Sequence, residues 1–171
     1  MTTSPEILDR YRDIIVTTLK ARIDQDFLSV YDMLRYCMGW SDKDGRPVNG
    51  VMGKSLRPSL CLFACEAVGG HMKNALPAAA SLELIHNFSL IHDEIEDFDE
   101  TRHHRPTLWA LWGINKALVA GNVLRILADR SMEMMKNDEG KDTERVLKGV
   151  ELLTEACLEM IEGQYMDISF E

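Results

Sequence analysis

Apolar residues recur at three- and four-residue spacing along most of this chain, and no stretch sustains a strict apolar-polar alternation. Ile7, Leu8, Tyr11, Ile14, Ile15, Leu19, Ile23, Phe27, Val30, Tyr31 and Leu34 predict one long amphipathic helix, opened by Ser4-Pro5-Glu6 and stopped by Gly39. Trp40, Asp42, Asp44-Gly45, Pro47 and Asn49-Gly50 then read as a loop. A second helix opens at Gly53-Lys54-Ser55-Leu56-Arg57-Pro58 and ends at Gly69-Gly70, and a third runs from Pro77 to near Phe98. A fourth pattern covers residues 108–135, with Gly113 and Gly121 as breaks or packing points. After a polar loop at 136–142, the last helix begins near Thr143 and is still running at Glu171. The fold class expected is all-α, a bundle of long helices without strands.

Composition narrows the picture modestly. At 171 residues, 46% hydrophobic and 27% charged, the chain is one globular domain's worth with material for a core. A net charge of −9 argues against nucleic acid as a partner. No apolar run has the length of a membrane span and Met1-Thr2-Thr3-Ser4-Pro5-Glu6 lacks a signal-peptide core, so a cytoplasmic location is expected. Cys37, Cys61, Cys65 and Cys157 form no CxxC pair and read as free thiols.

The chemistry concentrates between His86 and Thr107. Six carboxylates fall within residues 93–100, at the end of an apolar helix. Asp93 and Asp97 are four apart and share a helix face, and His86, two turns earlier, projects to roughly that side. Like charges at this spacing repel, and hard oxygen ligands without a nearby cysteine suit Mg²⁺ completed by water and substrate phosphate. Arg102-His103-His104-Arg105-Pro106-Thr107 follows as a cationic loop fit for phosphate oxygens. Lys54 and Arg57 open a helix whose N-terminus already favours an anion, so a second anion site is expected there, converging with His86. Acidic helix ends beside basic loops are also common on solvated surfaces. Glu83-Leu84-Ile85-His86 is an E-x-x-H, yet a di-iron bundle needs a second one, which the later helix lacks.

The word order separates these readings. Ile85-His86-x5-His92-Asp93-Glu94-x2-Asp97-x4-Arg102-x3-Pro106-Thr107 resembles the first aspartate-rich motif, H-D-D-x-x-D-x4-R-R-G-x-P-T, of the trans-isoprenyl diphosphate synthases, or polyprenyl synthetases. Gly53-Lys54-x2-Arg57-Pro58 resembles the family's G-K-x-x-R-P segment, with Met52 in place of a first glycine. Gly163-Gln164-x2-Asp167 resembles its G-Q-x-x-D segment, and the second aspartate-rich motif is absent. The resemblance therefore implies the N-terminal part, over residues 1–171, of a single isoprenoid synthase-like helical domain, incomplete at its C-terminus.

The implied function is a prenyltransferase that condenses an allylic diphosphate with isopentenyl diphosphate by Mg²⁺-assisted ionisation. Carried over by position, Asp93, Glu94 and Asp97 hold the metal, and Asp93, Asp97 and Arg102 are catalytic. Arg102 grips the allylic diphosphate; Lys54, Arg57 and His86 grip isopentenyl diphosphate, with His103 where a second arginine usually stands. Gln164 and Asp167 face the same cavity. Phe88, five before the first aspartate, is the expected floor, limiting the product to about fifteen to twenty carbons because cores do not yield space freely. His103 and His104 replace Arg and Gly and weaken the isopentenyl half of the site. That keeps two alternatives open, a terpene synthase-like enzyme that cyclises an allylic diphosphate and a non-catalytic subunit or fragment. With one aspartate cluster and an apolar last helix, the chain is expected to be inactive alone and to associate, as a homodimer in the resembled family.

Overall fold

In a computed structural model, residues 6–24, 28–48, 53, 55–135 and 143–170 are described. Lys54 and the polar loop at 136–142 lie outside them. The described residues form α1 (Glu6–Ile23), α2 (Ser29–Cys37), α3 (Leu56–Ala67), α4 (Met72–Glu96), β1 (Thr101–Arg102), β2 (Arg105–Pro106), α5 (Leu108–Trp112), α6 (Ile114–Glu133) and α7 (Thr143–Phe170). The all-α architecture expected from the periodicity is the one observed.

α4 is the centre of the bundle. Its buried residues include the runs Ala79-Ala80-Ser81 and Glu83-Leu84-Ile85, so it has no single apolar stripe and is enclosed on most sides. α6 covers its most extensive face, α3 the next, and α1 packs over both α3 and α4. Small residues set the α4–α6 spacing. A methyl group added at Gly121 of α6 would stand 2.5 Å from His92 Nε2 and 2.6 Å from its Cδ2. At the opposite end of this contact Ser131 Oγ donates to the Pro77 carbonyl at 2.8 Å.

Three expectations about elements need correction. The single N-terminal helix is two, α1 ending at Ile23 and α2 beginning at Ser29, with Asp24 and Ser29 flanking the break, residue types whose side chains compete for backbone hydrogen bonds. Arg35 Nε reaches Asp24 Oδ1 across it at 2.7 Å. The motif helix starts at Met72 rather than Pro77, which sits inside it; the ring is buried, and the helix interior accepts it at the expense of a hydrogen bond to the preceding turn. Finally, Thr101–Arg102 and Arg105–Pro106 pair as a short antiparallel hairpin. It is too brief to show alternation, and its turn residues His103 (φ 49°) and His104 (φ 62°) are not the glycine or asparagine that signal such a turn.

Helix ends follow the sequence more closely. Gly39 (φ 74°) and Gly69 (φ 80°) close α2 and α3 with paired backbone bonds, Trp40 N–H to Arg35 C=O at 2.9 Å and Gly70 N–H to Cys65 C=O at 2.8 Å. Gly113 divides α5 from α6 while Gly121 is a packing point, so the two roles left open for these glycines are both taken. α7 buries only Val146 and Cys157 among its described side chains, and Leu152, Leu158, Ile161, Met166 and Phe170 stay exposed. No helix among the described residues is long and apolar enough to cross a membrane.

Gly121→Val should lower the melting temperature, by about 2 kcal/mol of stability, because the α4–α6 gap has no room for the branched side chain. His92→Ala in the same chain should recover most of the loss in thermal denaturation. Equal stability of wild type and Gly121→Val would contradict the packing.

Candidate active site

Glu83, Asn87, Leu90 and Glu94 follow one another at spacings of four, three and four along α4, which puts them on one face. That face is one wall of a cleft of about 1030 Å³; the end of α2, with Tyr36 and Cys37, and the hairpin residues 102–106 form the others. Glu94 is 7% exposed inside it, with Oε1 3.7 Å from Arg102 Nη1. Burial pushes the Glu94 carboxyl up to about 7, opposed by Arg102 and reinforced by Asp99 and Asp93. His86 also lines the cleft, and its imidazole is pushed down to about 4 by burial first and then by Arg57 and Arg102. The shift therefore places His86 in the field of two guanidinium groups, one at the start of α3 and one on the hairpin. Glu83 is raised by burial, with Arg57 and Asn87 opposing.

Asp93 and Asp97 occupy a neighbouring face. Asp93 is half-buried and Asp97 exposed, and neither lines the cleft. At 100° per residue Asp93 and Asp97 stand about 20° either side of His86, whereas Glu94 is about 80° round. This rotation is why Glu94 leaves the two aspartates and joins Arg102. The Asp97 carboxyl is raised by desolvation and then by repulsion from Asp93, Asp99 and Asp167, so α7 brings a further acid to the same side. Among the described residues no three His, Cys, Asp or Glu groups stand close enough to hold a metal by themselves. The donor chemistry still fits Mg²⁺, which uses one or two carboxylates and fills its other positions with water and phosphate. Asp93 and Asp97, mutually repelling hard-oxygen groups one turn apart, are such a pair.

Of the other anticipated residues, Arg57 is exposed in the first turn of α3 and His103 is exposed at the hairpin turn on the cleft's edge. Gln164 is half-buried and Asp167 exposed on α7. Phe88 is 7% exposed with its ring edge-on to His92 at 4.6 Å, outside the cleft lining. Tyr36, Cys37 and Asn87 line the cleft without a role assigned from the sequence, where Glu83 is read only as half of an E-x-x-H pair and Arg105 only as one cation of the loop. The polar spacing Glu83-x3-Asn87-x6-Glu94 on an otherwise apolar helix was the available signal for Glu83. Cys37 is held as a thiol, pushed up to about 12 by burial and then by Glu94.

Comparison with known proteins assigns the fold and the motif together. The polyprenyl synthetase family model matches residues 46–171, and the chain belongs to that family. It is 41% identical over 165 residues to a (2E,6E)-farnesyl diphosphate synthase of Mycobacterium tuberculosis, a match covering 96% of this chain and 44% of that enzyme. It is 41% identical over 119 residues to a geranylgeranyl diphosphate synthase of Methanosarcina mazei, covering 70% of this chain and 36% of the relative. The crystal structure of a polyprenyl synthetase from Streptomyces coelicolor superposes with a TM-score of 0.83 at 34% identity, over 98% of this chain and 48% of that one. The chain thus spans less than half the length of these relatives.

The His86 shift has a sign that can be tested. Its folded value of about 4 lies below the ordinary 6.5, so its contribution to stability is complete above pH 6.5 and is lost as pH falls through 4. An anion lying between Arg57 and Arg102 should reverse part of the shift. In an NMR titration, Mg²⁺ with pyrophosphate should raise the His86 midpoint by about one unit or more. An unmoved midpoint would mean that no anion binds between these cations.

Proposed function

We propose that this chain is the N-terminal part of a single isoprenoid synthase-like helical domain with prenyltransferase activity, joining an allylic diphosphate to isopentenyl diphosphate. The observation that carries the reading is His86, set in the field of Arg57 and Arg102, next to a pair of repelling aspartates one turn apart. Cationic and anionic neighbourhoods that follow one another along one side of the helix suit a substrate that is itself a metal-bound diphosphate. The names of the relatives, farnesyl and geranylgeranyl diphosphate synthase, support a product of fifteen to twenty carbons over a cyclising enzyme.

In this reading Arg102 holds the allylic diphosphate, while Lys54, Arg57 and His86 hold isopentenyl diphosphate, with His103 in the place of a further cation on that side. Heterolysis of the allylic C–O bond leaves a delocalised carbocation and moves negative charge onto the departing pyrophosphate. Arg102 faces that charge from a half-buried position on the cleft wall, where a fixed cation is screened less than in open water. Neutral His86 donates one N–H to a diphosphate oxygen without adding repulsion to its two cationic neighbours. Asp93 and Asp97 would hold Mg²⁺, which when bound neutralises charge on the leaving group, with Asp167 on the same side and Gln164 as a residue of the same cavity. Glu94 orients Arg102 rather than ligating. The double bond of isopentenyl diphosphate then takes up the carbocation, and the released pyrophosphate accepts the proton.

The single aspartate cluster and the uncovered face of α7 support a chain that does not turn over alone. A homodimer and a cytoplasmic location, with all four cysteines unpaired, belong to the same proposal.

Two measurements test it. Asp93→Ala should abolish the Mg²⁺-dependent part of pyrophosphate binding in calorimetry and leave the melting temperature equal or slightly higher, since a like charge has been removed; unchanged affinity refutes the metal role. Purified chain with allylic substrate, isopentenyl diphosphate and Mg²⁺ should show no multiple turnover and should scatter light as an oligomer. Rapid turnover by a monomer would overturn the incomplete-domain reading.

A further inference from the structure

The hairpin that carries Arg102 and His103 is held by residues that no motif contains. Both residues of its turn, His103 and His104, have positive φ, a conformation costly to side chains with a Cβ. With only two strand residues on each side, the hairpin does not keep that turn by itself. The hold comes from the end of α2. Tyr36, 6% exposed, donates its hydroxyl to the Pro106 carbonyl at 2.7 Å. The Arg105 guanidinium lies over the Tyr36 ring at 4.1 Å and donates Nη2–H to the Ser41 carbonyl at 3.0 Å. Trp112 closes the far side of the ring edge-on at 5.2 Å. The Arg105 group is thus committed to Tyr36 and Ser41, while Arg102, its cross-strand partner, is turned to Glu94.

We propose that Tyr36 and Arg105 are positioning residues that clamp the 101–106 hairpin so that Arg102 and His103 meet a diphosphate at the cleft. The inference rests on the diphosphate reading of the cleft given above. It assigns the arginine of the Arg102-His103-His104-Arg105 run nearest the proline a role through the hairpin, not on the anion. A guanidinium stacked on an aromatic ring and bonded to a main-chain carbonyl has its face and one edge already occupied. Displacing a binding group by as little as an ångström costs up to about a hundredfold where geometry is demanding, so a loosened hairpin should be visible in affinity.

The probe is inorganic pyrophosphate with Mg²⁺, titrated into the chain by calorimetry, with circular dichroism on each variant. Arg105→Met and Tyr36→Leu should each weaken binding about tenfold, and the double variant should be no weaker than either single one, because both break one clamp. Arg105→Lys, which keeps a cation over the ring, should recover most of the affinity. If Tyr36→Leu does not fold, Tyr36→Phe removes only the bond to Pro106 and should cost about threefold. Additive losses, or wild-type affinity in Arg105→Met, overturn the clamp. Arg102→Ala separates this failure from that of the parent reading: if Arg102→Ala loses binding while Arg105→Met keeps it, the diphosphate site stands and the clamp falls. If wild type and Arg102→Ala take up pyrophosphate equally or not at all, the diphosphate reading falls and the clamp with it.

Discussion

The close approach of α4 to α6 is the constraint on which the rest depends. Gly121 admits His92 to within a distance that a single methyl would violate, and Ala79 and Ala80 are fully buried on the same helix. Drawn in this way, α4 has neighbours on most of its circumference and presents its functional groups from Glu83 onward. There two exposures remain, one into the cleft and one toward α7. Consecutive residues then differ in surroundings: Glu94 lines the cleft and Asp93, about 100° round the helix, does not.

That rotation explains how much of the site was legible. A motif read as a string assigned Asp93, Glu94 and Asp97 to one metal, because residue type and proximity in sequence are all that a string displays. The helix assigns only the pair four apart to a shared face, and gives Glu94 to Arg102. Arg57 and His86 were expected together and Arg102 on a separate diphosphate; in the fold His86, lowered first by burial, lies in the field of both guanidinium groups. Tyr36 and Arg105 were not expected together, since their link is a ring under a guanidinium between residues far apart in the chain. Secondary structure divides similarly. Glycine-closed ends at Gly39 and Gly69 follow from local chemistry, whereas Pro77 inside α4 and the two-residue strands depend on tertiary support.

The chain's overall charge poses a last question, because a protein of net charge −9 ought to repel a diphosphate. Two features settle the sign locally. The exposed acids, Asp97, Asp99, Glu100 and Asp167 among them, act through water, and salt screens them over about 8 Å at physiological ionic strength. Arg102 acts from the cleft wall beside a carboxyl that burial holds near neutrality's edge, at about 7, so its charge is only partly cancelled by Glu94. Burial of His86 works in the same direction by a different route. It removes a titrating proton at neutral pH, which lets Arg57 and Arg102 stand close without a third cation between them. The low-dielectric side of α4 is therefore positive in effect while its wet side is negative. In the proposed reading, a diphosphate with its metal would meet that polarity with its oxygens toward Arg102 and Arg57 and the cation toward Asp93 and Asp97.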